Sequence, residues 1–185
     1  MANASSRVVD HAVALRAVRV VTRTGLRTKG WLIAGMVQIP VALGRSGIRA
    51  DKREGDGATP RGQFRPLRVW WRADRALHPR TFLPVRRIGP ADAWCEDPAD
   101  RRYNRPVRLI EGQGGDGLWR ADHLYDLIVE LDHNVRPRIA RRGSAIFVHM
   151  ARPGLLPTAG CVALPAAPLR RLLARIGRKT RIGIH

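Results

Sequence analysis

Only two cysteines, Cys95 and Cys161, occur in 185 residues, which excludes a disulfide framework. Serine is nearly as scarce. It stands at positions 5, 6, 46 and 144 and never in a Gly-x-Ser-x-Gly elbow, which argues against a serine hydrolase. The six histidines and two cysteines show no short spacing of the structural-zinc kind, so neither a metal nor a cofactor is expected. Gly55-Asp56-Gly57-Ala58-Thr59-Pro60-Arg61-Gly62 lacks the lysine of a phosphate loop. Long apolar runs are missing too: Trp31–Val37 is broken by Gly35, far short of the ~18 residues a membrane span needs. Arg7, Asp10 and His11 interrupt the N-terminus, so no export signal is expected in this chain.

Acidic residues are the other shortage. Lys and Arg number 34 against 15 Asp and Glu, a net charge of +19, and only Lys29, Lys52 and Lys179 are lysines. Such a balance suits an anionic partner, and equally a well-hydrated surface. Asp132 is the last carboxylate; the eleven basic residues of positions 133–185 predict a positive field around Cys161.

What is present reads as short strands. Val18–Thr24, Trp31–Ala34, Val37–Leu43, Phe64–Ala73, Phe82–Ile88, Leu124–Leu131, Ala145–His149 and Thr180–Ile184 carry strand patterning. Gly35-Met36 reads as a tight hairpin turn, and Pro66 marks its strand as an edge. Leu127, Val129 and Leu131 predict one buried face with polar residues opposite. Leu169, Leu172, Leu173 and Ile176 recur at helical spacing, predicting a helix over 166–176 closed by Gly177. Residues 89–120, rich in Pro, Gly and Asp, read as a loop excursion whose Trp94, Tyr103 and Trp119 form either a lid or a small satellite core. The expected architecture is a mainly-β sandwich or barrel over residues 15–185, with one late helix, after a tail over 1–14.

Among candidate nucleophiles Cys161 stands out. It follows Gly160 in Thr158-Ala159-Gly160-Cys161-Val162, a turn able to present a thiol and adjacent amides. His149 ends an apolar strand twelve residues upstream, and Pro153, Gly154 and Pro157 shape the loop between them. An imidazole within reach of the thiol predicts a thiolate–imidazolium pair. The alternative is a small buried cysteine beside a satisfied core histidine. Cys95 has no paired base and reads as structural.

These residues resemble the L,D-transpeptidase (YkuD-like) catalytic domain family, in which a strand ending in His is followed by Ser/Thr-x-Gly-Cys and an aliphatic residue. Here those are His149, Thr158, Gly160, Cys161 and Val162; the Gly55–Gly62 turn and the Tyr125-Asp126-Leu127-Ile128-Val129 strand are similar as well, so the likeness spans about residues 15–184. The resemblance implies acyl transfer on peptidoglycan stem peptides, with Cys161 attacking an L-centre carbonyl, commonly of meso-diaminopimelate, and His149 as base and acid. An amine from a second stem would form a cross-link; water would make the enzyme an L,D-carboxypeptidase. It also implies an oxyanion hole from the Gly160 and Cys161 amides, inhibition by carbapenem-type β-lactams, and work in the bacterial envelope or periplasm. Along the substrate groove it suggests Thr158, Tyr125, His133, Asn134 and Arg152, the last replacing a cation. For the group orienting His149 it suggests a backbone carbonyl ahead of Asp132. The chain departs from the family at Ala163, where Arg or Asn is usual, at Ala159, commonly polar, and at Met150, often Gly. The competing reading is a non-enzymatic nucleic-acid-binding module, with Val69-Trp70-Trp71-Arg72 as its stacking platform, although adjacent tryptophans on a strand point to opposite faces.

Overall fold

A computed structural model describes residues 14–109 and 115–185; the expected tail over 1–14 lies outside them except for Ala14. The chain forms β1 (Ala17–Arg23), β2 (Leu26–Ala34), β3 (Val37–Ala42), β4 (Ile48–Arg49), β5 (Thr59–Pro60), β6 (Gly62–Phe64), β7 (Pro66–Trp71), β8 (Val85–Arg87), β9 (Asp92–Cys95), β10 (Arg105–Arg108), β11 (Asp116–Gly117), β12 (Leu127–Leu131), β13 (Phe147–Met150), β14 (Val162–Leu164), α1 (Ala166–Leu173) and β15 (Arg181–Ile184). Ten strands join in one curled mixed sheet, ordered β6-β15-β1-β2-β3-β14-β13-β12-β7-β8. The mainly-β class with one late helix is therefore the fold.

The β2–β3 hairpin turns at Gly35-Met36 with Ala34 opposite Val37; Gly35 supplies a φ of 64° that a side-chain-bearing residue resists. Helix α1 begins after Pro165, and Pro168 sits in the first turn, where an amide hydrogen has no intrahelical partner anyway. It is shorter than its periodicity suggests: beyond Leu173 the amide of Arg175 bonds to the Leu172 carbonyl, a tighter turn that still buries Ile176.

Both faces of the sheet are covered, and this corrects two expectations. On β12, Leu127, Val129 and Leu131 join a core with Leu169, Leu172 and Leu173 of α1, while Ile128 points into a second core with Trp70, Trp94, Leu118 and Phe147. Glu130, expected on a wet face, is buried, accepting from Trp70 Nε1 at 2.8 Å and pairing with Arg68 at 3.0 Å. Pro66 does not make β7 an edge. The strand breaks at Arg65 into β6 and β7, and Pro66 takes the first position of β7, which lies between β12 and β8.

The excursion is structured among its described residues. Strands β10, β9 and β11 form a three-stranded sheet that lays Trp94 and Leu118 onto the second core. Trp94 is buried in that core, so it packs and does not form a lid; Tyr103 is buried as well, its hydroxyl donating to Glu54; Trp119 is half-exposed, with the Arg72 guanidinium 3.4 Å above its ring. Asn104 ties this sheet down: its Oδ1 accepts from Trp94 Nε1 and the Ala145 amide, and its Nδ2 donates to the His133 and Asn134 carbonyls. Trp70 and Trp71 enter opposite cores, which removes them as a stacking platform for nucleic acid.

Candidate active site

Strands β13 and β14 run parallel, with His149 beside Ala163. Because side chains alternate along a strand, Phe147, His149, Cys161 and Ala163 share one face, and the last three open into a cavity of about 580 Å³. The Ala163 methyl thus lies directly beside the imidazole, where a longer side chain would fill the space.

The thiol turn is held from beneath. Thr158 Oγ1 donates to the Cys161 carbonyl at 2.6 Å and accepts from the Gly160 amide at 3.1 Å, while its own amide bonds to Leu43. The Gly55–Gly62 segment packs against this turn. Asp56 accepts from the Arg53 and Ala58 amides and pairs with buried Lys52; Thr59 Oγ1 accepts from the Gly44 amide. Gly160 has a φ of 149°, and a Cβ there would lie 2.9 Å from the Ala58 carbonyl oxygen. Gly160→Ala is therefore expected to lower stability by roughly 1–3 kcal/mol and to slow alkylation of Cys161. Thermal denaturation and iodoacetamide kinetics check both effects; an unchanged melt and unchanged reactivity would refute the close-packing argument.

Charge at the pair differs from the sequence expectation. Both side chains are buried, and desolvation disfavours both ions. Burial, reinforced by Asp116 and Glu96 against an opposing bond from the Phe147 amide, pushes the Cys161 thiol up to about 12. Burial pulls His149 down to about 4 against an opposing bond to the Met150 carbonyl. At neutral pH the pair is thiol and imidazole, not thiolate and imidazolium. The S–H donates to the Ala145 carbonyl at 3.2 Å, and Cys161 and His149 share no hydrogen bond in this state. The wall is of mixed charge and not the purely basic field read from positions 133–185: folding brings Glu54, Glu96 and Asp116 there beside Arg45, Lys52, Arg120 and Arg152.

His149 Nδ1 lies 2.8 Å from the Met150 carbonyl oxygen, which can only accept, so Nδ1 carries the hydrogen and Nε2 keeps its lone pair. Asp132 is not the orienting group: its Oδ1 accepts from the Arg65 amide at 2.7 Å. Tyr125 packs edge-on to the imidazole, ring centroids 5.3 Å apart, and donates to Asp116 at 2.9 Å.

Of the expected groove residues, Tyr125, Arg152 and Thr158 line the cavity; His133 and Asn134 do not. His133 bonds to the Arg142 carbonyl and packs on Phe64, while Asn134 spends its amide on Ile139 and Gly143, closing a turn. Arg152 is half-exposed at the rim, 3.8 Å from Asp122. Thr158 uses its hydroxyl within the turn, and the Gly160 amide is occupied by it, which leaves the Cys161 amide without a partner among the described residues. Sequence reasoning missed Arg45, Lys52, Ser144 and Arg120 as lining groups, as well as the three carboxylates. Antiparallel β9–β11 pairing supplies Glu96 and Asp116, a pairing the Gly- and Asp-rich composition concealed.

Compared with known protein families, the chain matches the family model described as YkuD, the L,D-transpeptidase catalytic domain, over residues 17–184. No curated protein and no solved structure matches significantly.

Proposed function

Since the chain belongs to the L,D-transpeptidase catalytic domain family, we propose that it is a cysteine acyltransferase that cross-links peptidoglycan stem peptides through a thioester on Cys161. The observation that carries this reading is the shared face: thiol and imidazole open from adjacent strands into one cavity, with His149 Nε2 left free to take a proton.

Donor binding turns the S–H from the Ala145 carbonyl towards His149. Nε2 takes the proton as sulfur attacks the carbonyl carbon next to an L-centre, and the carbonyl π electrons move to oxygen. The unpartnered Cys161 amide supports that oxyanion. Collapse breaks the C–N bond, and the amine leaves with the proton from Nε2. An acceptor amine, after shedding its ammonium proton to solvent, then attacks the thioester carbon and gives a second proton to Nε2. The C–S bond breaks, and sulfur recovers that proton. Bringing a neutral thiol and a neutral imidazole together costs less than storing a buried ion pair, because charge is made only as the attack proceeds.

Water in place of the amine makes the same site an L,D-carboxypeptidase. The family is associated with the cell wall, and no helix among the described residues is long and apolar enough to cross a membrane. Incubating the protein with stem peptides of defined length and separating the products tests the proposal. A dimer lacking the donor's terminal D-residue is expected; shortened monomer alone would establish the carboxypeptidase, and no change in either peptide would overturn acyl transfer.

A further inference from the structure

We propose that Glu96 and Asp116 form the subsite for the protonated amine of the acyl acceptor, with Ser144 Oγ as a third acceptor atom. The inference rests on the acyl-transfer reading above and names which wall of the cavity receives the second substrate.

Three observations converge. First, β9–β11 pairing sets Asp116 opposite Trp94; Glu96 follows directly on the last residue of β9, Cys95, and both carboxylates line the cavity that holds Cys161. Second, in a chain so rich in arginine most carboxylates are claimed: Asp74, Asp100 and Asp122 each sit at or within 2.7 Å of a guanidinium nitrogen. The Glu96 carboxylate has no cationic partner among the described residues, and Asp116 has Arg120 only at 3.5 Å. Third, Ser144 is 6% exposed and lines the same cavity, and its Oγ, near the Tyr103 hydroxyl, makes no hydrogen bond of ordinary length among the described residues. A buried hydroxyl left unsatisfied costs free energy that a bound donor recovers.

A cation with several N–H donors satisfies all three groups. Glu96 is exposed at the cavity rim with Asp116 and Glu54 as its charged neighbours, so a positive ligand relieves repulsion already present. A primary amine reaches the site as such a cation, its ordinary pKa being about 10.4. The acceptor and not the donor is assigned here on the chemistry of the two reacting groups. The acceptor's reacting group is the amine itself, whereas Arg45 and Arg152, which line the same cavity, suit the carboxylate of the donor stem. The ammonium is thus held by ion pairs that set its position, and the catalytic groups remain Cys161 and His149.

The test measures amine transfer against hydrolysis for one donor peptide, with the thioester followed by intact mass. Glu96→Gln is expected to lower the transfer-to-hydrolysis ratio about tenfold and raise the acceptor KM, a loss of ~1.4 kcal/mol of acceptor binding. Glu96→Asp, which keeps the charge, recovers part of the ratio; Asp51→Asn, an exposed carboxylate outside the cavity, leaves it unchanged. An unaltered ratio in Glu96→Gln overturns the inference, as does a loss confined to thioester formation, which would place the carboxylates on the donor side. Absence of any thioester on Cys161 in the wild-type protein would instead overturn the acyl-transfer reading itself.

Discussion

Cys161→Ala is expected to lower acyl transfer at least about 10⁴-fold, since removing a nucleophile leaves only binding and oxyanion stabilisation. The loss is chemical and not structural. Cys161 is a small side chain in a core anchored by Trp70, Trp94 and Phe147, so alanine there costs on the order of 1 kcal/mol, and the protein should unfold within a few degrees of wild type. Cys95 is also buried but lies outside the cavity lining, so Cys95→Ala should keep transfer activity. Stem-peptide turnover beside thermal denaturation checks both. Residual activity within tenfold of wild type in Cys161→Ala would show that sulfur is not the nucleophile.

His149→Gln should cost roughly 10³-fold in thioester formation, within the range ordinary for loss of a general base. The pH profile is the more discriminating result. The active form needs an unprotonated Nε2, and burial lowers His149 to about 4. Activity should therefore persist on acidification past 6.5 and fall only as pH approaches 4. Stability has the same sign. The folded state refuses a proton that the unfolded chain accepts below about 6.5, so stability complete above that pH is lost as pH drops towards 4, on the order of 3 kcal/mol. Urea unfolding at pH 7 and pH 4, with His149→Gln as the subtracted reference, measures it. An acid limb near 6.5, or equal pH sensitivity in wild type and His149→Gln, would contradict a buried neutral imidazole.

Much of this was legible where local chemistry decides the outcome. Gly35 permits the turn, so the hairpin was visible, and the helix-spaced leucines of α1 face a single core. His149 at a strand end and Cys161 after a glycine were visible for the same local reason. What stayed hidden depends on distant pairing. Period-two reasoning gave β12 one wet face because nothing nearby in sequence shows that β9–β11 will cover it. Counting charges along the chain placed Cys161 among arginines, yet the field at a buried atom follows from what folds against it, and Glu96 and Asp116 arrive from residues 89–120. The oxyanion assignment to Gly160 missed that Thr158 Oγ1 takes its amide hydrogen, and Asn134 proved to be a turn residue.

The most direct measurement is the intact mass of the protein after exposure to a carbapenem, a carbonyl electrophile aimed at the same thiol. One covalent adduct per chain is expected, mapped to Cys161 by peptide digestion, absent from Cys161→Ala, and formed roughly 10³-fold more slowly in His149→Gln. No adduct, or one on Cys95, would contradict the assignment of Cys161 as the nucleophile.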